Sequence, residues 1–174
     1  MAAVFWPILL IVIIAIRLQS PGPAIFRQVR VGKDGRPFTC YKFRTMYSGT
    51  ANLPTHQVQA SSVTALGEYL RRFKIDELPQ LCNVLIGDMS LVGPRPCLPS
   101  QVELVEARRQ LGVLAVRPGI TGLAQVNGVD MSDARRLAEI DAQYVRTQSL
   151  IGDFKLIVAT LGGRGVGIDQ VIRE

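Results

Sequence analysis

Two adjacent carboxylates, Asp76 and Glu77, lie near the start of the stretch RRFKIDELPQLCNVLIGDMSLVGPRP, residues 71–96, and three cations precede them. Nearby cations favour the ionised form of a carboxyl group, and an ionised carboxylate can bind a hard divalent ion or attack an electrophile. The same residues also suit the start of a helix, with Asp76 as N-cap and Pro79 in the first turn. This stretch alone favours the structural interpretation, although the two interpretations are compatible.

A second set of charged residues lies in AIFRQVRVGKDGRPFTCYKFRTM, residues 24–46, which predicts two strands around a turn at 33–36. Lys42 and Arg44 are two residues apart, so on a strand they would share one face. Such a pair could hold a diphosphate, with the arginine as a fork and the lysine as a point charge. A solvated strand face is the default alternative.

Two loops carry further cations and polar groups. In GPRP, residues 93–96, the prolines restrict Arg95, which suits a preset phosphate contact but also a plain structural turn. The segment RPGITGLAQVNG, residues 117–128, combines several glycines with the hydrogen-bonding side chains expected of a ligand loop, Arg117, Thr121, Gln125 and Asn127. It lacks the GK[ST] sequence of a P-loop.

The elements that must position these residues are mostly helical. Apolar spacing predicts helices over 65–73, 78–90, 98–116, 132–148 and 149–161. Ser132 is the expected N-cap of the fourth helix. The second helix should bury one face made of Leu78, Leu81, Val84 and Leu85. With the hairpin, the predicted fold class is α+β, mostly helical, with one short β-hairpin or small sheet. Residues 47–65, which include His56, are expected to form a polar loop.

Residues 2–18 are almost wholly apolar, with no charge before Arg17. At ~1.5 Å per residue, a helix of this length is at or just below what a bilayer requires. No basic region precedes the stretch, which argues against a signal peptide, and the lack of a polar face argues against a core helix. A membrane-inserted helix over 1–18 is therefore predicted, with residues 19–174 as one cytoplasmic domain because cations follow the helix.

Composition limits the classes of partner. The chain has 174 residues, a net charge of +6 and 48% hydrophobic residues, which favours an anionic or lipidic partner. Aromatic residues make up only 6%, so the base-stacking surfaces of nucleic-acid-binding proteins are not expected. Three cysteines without zinc-site spacing and a single histidine argue against zinc and histidine-based chemistry.

Four motifs together resemble the bacterial sugar transferase family. They are YKFRTM at 41–46, DELPQL at 76–81, GDMSLVGPRP at 87–96 and RPGITGLAQVNG at 117–128. Members of this family, the monotopic phosphoglycosyl transferases, begin glycan assembly on polyprenyl phosphate. The resemblance runs from about Pro7 to the C-terminus. It implies a UDP-sugar donor, undecaprenyl phosphate as acceptor, release of UMP, and a location at the cytoplasmic face of the bacterial inner membrane.

The resemblance also implies a membrane geometry. The family's N-terminal helix enters the membrane, breaks near mid-depth and returns to the same face. Amphipathic helices lie along the interface, so that the protein contacts one leaflet. Pro7 matches the family's helix break, whereas Trp6 stands where a serine is usual. Because almost no sequence precedes Pro7, the N-terminal helix of this sequence is expected to be shortened relative to the family's.

Site roles follow from the resemblance residue by residue. Asp76 would be the nucleophile of an aspartyl-phosphosugar intermediate, and Asp76 with Glu77 would hold Mg²⁺. Glu77 is also assigned to catalysis, where it would serve the metal or a proton transfer. Lys42, Arg71 and Asp141 match functional positions of the family and are assigned to catalysis. The substrate-binding residues are then expected to be Arg44, Arg95, Arg117, Thr121 and Gln125.

Two other classes remain as alternatives. One is a membrane-anchored binding module of the same fold without catalysis. The other is a basic peripheral protein that binds anionic lipid or nucleic acid non-specifically, although the apolar N-terminus and the few aromatic residues argue against nucleic acid. The sequence does not identify the sugar, and a homodimer is among the assemblies that it allows.

Overall fold

The computed structural model describes residues 2–49 and 62–163, and for residues 2–6 and 8 the backbone alone. Most of the predicted polar loop, including His56, lies outside the described residues. The elements are α1 (Ala2–Gln19), β1 (Ile25–Val31), β2 (Pro37–Phe43), α2 (Ala65–Arg72), α3 (Gln80–Ile86), β3 (Ser90–Val92), α4 (Val102–Gln110), β4 (Gly119–Thr121), α5 (Leu123–Val126), α6 (Ala134–Thr147) and α7 (Leu150–Leu161). The expected mostly helical α+β class with a hairpin is confirmed.

The contacts within the chain divide it into two compact units. The described part of the first unit is residues 2–27, 41–49 and 62–79, and that of the second unit is residues 28–40 and 80–163. Strands β1 and β2 pair with each other, and each contributes residues to both units. The turn between them contains Asp34 and Gly35 at positive φ, 56° and 75°, as its Lys-Asp-Gly-Arg sequence predicts.

The first unit has a small core at the C-terminal half of α1. Ile16, Ala24, Phe43 and Leu70 are its buried residues, so α1, the hairpin and α2 all contribute. The N-terminus of α2 is capped by Thr64, whose hydroxyl accepts from the Gly67 amide at 3.0 Å. Within residues 2–49 and 62–163, no helix is both long and apolar enough to cross a membrane.

The second unit is built around α4 and α6. Its buried core consists of Val31, Cys97, Leu104, Ala124, Leu137 and Ala138. The N-cap of α6 is Asp133, which accepts from the Arg136 amide at 3.0 Å, so the prediction of Ser132 as cap is wrong by one residue. Helix α7 begins after Ser149, whose hydroxyl accepts from the Gly152 amide. Its bounds confirm the predicted helix over 149–161.

The second unit also contains a parallel strand pair that the sequence did not predict. Strands β3 and β4 pair with Ser90 opposite Gly119 and Val92 opposite Thr121. A Cβ on Gly119 would lie 2.1 Å from the Gly93 amide nitrogen, so this close approach requires glycine. The pairing joins the start of the GPRP loop to the start of the glycine-rich segment.

Helix α3 exposes much of the face that was expected to be buried. Leu81 and Leu85 are 41% and 87% exposed, so the prediction of a core face that includes them is wrong. The helix instead buries Asn83, whose Nδ2 donates to the Thr39 carbonyl at 2.7 Å. The Asn83 carbonyl accepts from the amides of the turn at 87–89, where Gly87 has a φ of 95°. Helix α3 therefore buries the hydrogen-bonded amide side chain of Asn83 and leaves Leu81 and Leu85 exposed.

Candidate active site

The first unit brings together a cation of the hairpin and a carboxylate of the dyad. The Lys42 ammonium donates to Oε1 of Glu77 at 2.9 Å, although 35 residues separate them in the chain. The side chains are 21% and 12% exposed, so solvent reaches the pair. This contact confirms that the YKFRTM and DELP motifs meet in space, as a shared site requires.

A tight turn positions Asp76 beside this pair. Lys74, two residues after the end of α2, adopts a left-handed conformation with φ 56°. A 3₁₀ turn over Ile75–Glu77 follows, and Asp76 within it is only 6% exposed. Lys74 precedes the turn, so the interpretation of Asp76 as an N-cap is wrong. A buried carboxylate held in a short, defined turn has little freedom to reorient, which suits a group with a directional task.

Arg71 is anchored to the same region. Its Nε donates to the hydroxyl of Thr45 at 2.8 Å. Helix α2 approaches this segment closely, because a Cβ on Gly67 would lie 2.1 Å from the Thr45 carbonyl oxygen. Arg71 is half-buried, whereas Arg72 is exposed and lies over the Phe73 ring at 5.8 Å. Of these two arginines, Arg71 is therefore the one that contacts the hairpin side of the unit.

Arg44 has different partners from Lys42. It follows the last residue of β2, and its guanidinium donates to the carbonyls of Ser20 and Pro21 at 2.7 and 2.9 Å. These carbonyls come directly after α1, so Arg44 interacts with the C-terminal end of that helix. Its expected part in holding a diphosphate stays a prediction.

In the second unit, the GPRP loop and the glycine-rich segment lie at the paired strands. Arg95 is half-buried, and its carbonyl accepts from Nη1 of Arg108 at 2.9 Å. Arg117 is exposed just before β4. Its Nη2 lies 3.8 Å from the place that a Cβ on Gly87 would occupy. The turn after α3 and the glycine-rich segment are therefore neighbours.

The two other residues expected to bind substrate are held by local hydrogen bonds. Thr121 is buried at the end of β4, and its hydroxyl lies 2.5 Å from that of Thr160 on α7. Gln125 donates from Nε2 to the Ile120 carbonyl at 3.0 Å. Its Oε1 is buried and lacks a hydrogen-bond donor among the described residues. A substrate contact for either residue stays a prediction.

Asp141 forms a buried ion pair with Arg108 of α4, whereas the sequence suggested at most a weak pair with an arginine on its own helix. Nε and Nη2 of Arg108 both donate to its Oδ2, at 3.0 and 2.6 Å, and both side chains are 3% exposed. Burial raises the pKa of the Asp141 carboxyl, and the charge and hydrogen bonds of Arg108 offset this only in part. Arg108 is buried in the second unit, at 2% exposure. No local sequence signal marks Arg108, because α4 also carries Glu103, Glu106, Arg109 and Gln110.

Tyr144 is a further buried group that sequence reasoning missed. Its hydroxyl donates to Oδ1 of Asp153 at 2.9 Å and lies 3.3 Å from the Val92 carbonyl. Burial and the neighbouring Asp153 raise the pKa of the Tyr144 phenol, so it stays protonated at neutral pH. It therefore acts as a hydrogen-bond donor between α6, α7 and the end of β3.

The dyad is the donor set that suits a magnesium ion. Among the described residues, no cluster of three or more His, Cys, Asp or Glu side chains is arranged to hold a metal. Magnesium sites of enzymes that act on phosphates often use one or two carboxylates, with waters and substrate oxygens as the other ligands. Asp76 and Glu77 supply two such carboxylates, so their chemistry fits Mg²⁺.

The first unit thus holds a buried carboxylate, a cation-paired carboxylate and Arg71 in one region. Comparison with known proteins identifies the family. The family model of bacterial sugar transferases matches residues 1–164. The chain belongs to the bacterial sugar transferase family.

Individual relatives extend the comparison. A UDP-glucose:undecaprenyl-phosphate glucose-1-phosphate transferase of Caulobacter vibrioides is 44% identical over 172 residues, which cover 92% of this chain and 64% of the relative. The sugar transferase EpsL of Bacillus subtilis is 43% identical, with 96% of this chain and 81% of the relative covered. A UDP-N-acetylgalactosamine-undecaprenyl-phosphate N-acetylgalactosaminephosphotransferase of Aeromonas hydrophila is 40% identical, with 90% and 39% covered. The chain thus spans less than two thirds of the first and the third of these relatives.

Proposed function

We propose that this protein transfers a phosphosugar from a UDP-sugar to polyprenyl phosphate, most simply undecaprenyl phosphate, and releases UMP. The observation that carries the proposal is the arrangement of the first unit, where buried Asp76 adjoins Glu77, and Glu77 is paired with Lys42 at 2.9 Å. Two relatives are named for undecaprenyl phosphate as acceptor and for a UDP-sugar as donor, which supports the same reaction class. Those names differ in the sugar, so the donor sugar has to be found by experiment.

The chemistry divides into two displacements at one phosphorus atom. A carboxylate oxygen of Asp76 attacks the β-phosphorus of the donor, and the bond from that phosphorus to the bridging oxygen breaks. UMP leaves with the bridging oxygen and its electron pair. A phosphate oxygen of the acceptor then attacks the same phosphorus, and the bond to Asp76 breaks. The carboxylate is regenerated, and the product is a polyprenyl diphosphate sugar.

The side chains around Asp76 have electrostatic tasks in this scheme. Lys42 and Arg71 neutralise the phosphate oxygens, because phosphoryl transfer depends more on positioning and charge stabilisation than on covalent machinery. Glu77 orients the Lys42 ammonium. Asp76 and Glu77 would hold Mg²⁺, which when bound supplies charge neutralisation to the diphosphate. In the second unit, Arg95, Arg117, Thr121 and Gln125 are proposed to bind substrate, and Asp141 stays a proposed catalytic residue.

Membrane association belongs to the proposal as well. The acceptor carries a long hydrocarbon, and lifting it from lipid would cost ~0.8 kcal/mol per CH₂ group. Helix α1 is apolar, and α7 exposes Leu150, Ile151, Phe154 and Leu161, of which Leu150 is 89% exposed. Insertion of α1 into one leaflet, with α7 along the interface at the cytoplasmic face of the bacterial inner membrane, would keep the acceptor in lipid throughout the reaction.

Intact mass measurement tests the proposal directly. The detergent-solubilised protein is incubated with Mg²⁺ and one UDP-sugar at a time, beginning with UDP-glucose and UDP-N-acetylgalactosamine, without acceptor. We expect UMP release and a mass increase of one phosphosugar. Asp76→Asn should abolish both, whereas Glu68→Gln, an acid-to-amide change at an exposed position of α2, should abolish neither.

Two results would count against the scheme. Turnover of Asp76→Asn in the presence of polyprenyl phosphate would remove Asp76 as the nucleophile. The lack of an adduct and of UMP with every donor and acceptor tested would favour the non-catalytic binding module instead.

A further inference from the structure

A cavity of about 620 Å³ lies in the first unit, between the C-terminal half of α1 and the start of β1. Its lining combines apolar side chains with three arginines: Ile13, Arg17, Pro23, Ala24, Ile25, Phe26, Arg27 and Arg44. None of the lining residues that the structure describes is acidic. The cavity therefore offers apolar contact and concentrated positive charge in one place.

Arg44 is the buried cation of this cavity. It is 9% exposed, and among the described residues its guanidinium donates only to neutral oxygens, those of Ser20, Pro21 and Ser48. Its Nε is buried and has no acceptor among the described residues. The carbonyls at the end of α1 carry partial negative charge, which explains why the cation is tolerated there. A neutral acceptor does not cancel a full charge, however, and buried charges are normally paired with an opposite one.

Two further arginines line the cavity from exposed positions. Arg17 lies in the last turn of α1 and Arg27 on β1, and both are exposed. Guanidinium groups match the geometry of phosphate oxygens and bind them through paired hydrogen bonds. The apolar part of the lining, with Ile13, Ala24 and Ile25, suits hydrocarbon next to such a phosphate.

We propose that this cavity binds the phosphate group of an anionic lipid, with the first part of its hydrocarbon against α1. The site is separate from the dyad, because neither the dyad nor Lys42 or Arg71 lines the cavity. Binding there requires neither a sugar donor nor turnover. A lipid phosphate in this place would fix the end of α1 relative to the start of the hairpin.

Native mass spectrometry of the full chain in a neutral detergent tests this site without reference to catalysis. The probes are dioleoyl phosphatidic acid, dioleoyl phosphatidylglycerol, dioleoyl phosphatidylcholine and inorganic phosphate. We expect the two anionic lipids to bind at least about tenfold more tightly than inorganic phosphate or the zwitterionic lipid, a difference of ~1.4 kcal/mol. Tighter binding of phosphatidic acid would point to a phosphate monoester as the natural ligand, and equal binding to an ordinary phospholipid.

Variants locate the binding. Arg17→Gln with Arg27→Gln should weaken binding of the anionic lipids about tenfold or more. The matched control, Arg135→Gln with Arg136→Gln, removes the same charge from exposed positions of α6 and should leave the affinity unchanged. Lys42→Gln should also leave it unchanged. Equal losses in both double variants, loss in Lys42→Gln alone, or inorganic phosphate bound as tightly as the lipids would overturn the proposal.

Discussion

Replacement of Arg108 by methionine should destabilise the second unit far more than the same change one residue later. Arg108 makes three hydrogen bonds from a buried position, two to Asp141 and one to the Arg95 carbonyl. Arg109 is 65% exposed, and its contact with Glu106 is 3.7 Å long. The two residues are adjacent on α4, so Arg109→Met controls for the loss of charge and for helix propensity.

The expected magnitude follows from burial. Breaking a buried ion pair by removal of one partner typically costs about 3–5 kcal/mol, because the other charge is left without compensation. An exposed pair such as Arg109 with Glu106 contributes about 0–1 kcal/mol. In a chain of this size, 1 kcal/mol corresponds to roughly 2–4 °C in Tm. Arg108→Met should therefore lower Tm by at least about 6 °C, and Arg109→Met by less than about 4 °C.

The cause can be tested through pH and through a second substitution. Arg108 is the group that offsets the burial of the Asp141 carboxyl, so its removal should raise the pKa of Asp141 further above 3.8. The folded variant then binds more protons than the unfolded chain, and its free energy of unfolding must fall as pH rises from about 3.8 through the folded pKa. Addition of Asp141→Asn removes the buried charge. It should recover most of the lost Tm at pH 7 and abolish this pH dependence.

Thermal unfolding followed by far-ultraviolet circular dichroism, at one scan rate from pH 4 to pH 8, measures all four proteins. Equal Tm values for Arg108→Met and Arg109→Met would refute the energetic argument. A stability of Arg108→Met that increases with pH, or no recovery in the double variant, would refute the assignment to the Asp141 charge. Turnover by the double variant would in addition remove Asp141 from the catalytic residues, because an asparagine would then serve in its place.

Three further outcomes are expected. Lys42→Gln should reduce UMP release at least tenfold but lower Tm by less than about 4 °C, because its pair with Glu77 is partly exposed; unchanged turnover would contradict its role. Gly67→Ala should cost about 1–3 kcal/mol in thermal unfolding, since its Cβ would lie 2.1 Å from the Thr45 carbonyl oxygen, and a stable variant would argue against this close packing. EDTA should stop turnover, and added Mg²⁺ should restore it; activity that survives chelation would exclude Asp76 and Glu77 as required metal ligands.

Local signals predicted the regular elements well. The hairpin and α7 agree with expectation because each has its own punctuation, a Lys-Asp-Gly-Arg turn in one case and Ser149 before an apolar repeat in the other. The fold class follows from these elements. Positions of caps are less certain from sequence, since Ser132 and Asp133 are both good cap residues and only the path of the chain selects the second.

Features that depend on contacts between distant residues could not be predicted from the sequence. Helix α3 has apolar residues on more than one face, so periodicity does not reveal that Asn83 is buried and Leu85 exposed. Strands β3 and β4 have three residues each, which is too short for a recognisable alternation of apolar and polar residues. In the sequence, β3 precedes α4 and β4 follows it, so nothing local indicates that the two strands pair. Their register depends on the close approach that Gly93 and Gly119 permit.

The candidate site was likewise predicted only in part. The dyad and Lys42 were recognised because charged residues near one another, or within a known motif, stand out in a sequence. The contact of Lys42 with Glu77 joins two motifs that lie 35 residues apart, and only the structure reveals it. The partner of Asp141 lies 33 residues away on another helix, and no local pattern connects the two.

The charges of the first unit also constrain how a donor could enter. Lys42 is already compensated by Glu77, so the pair offers an incoming diphosphate less positive charge than an isolated lysine would. Asp76, buried beside it, would repel the same diphosphate. Because Lys42 is paired with Glu77 and the donor adds negative charge next to buried Asp76, a divalent cation held by the dyad would make the entry of the donor electrostatically more favourable. The proposed Mg²⁺ would therefore serve donor binding as well as the later displacement, and it would explain why the site carries a carboxylate pair that by itself opposes the substrate.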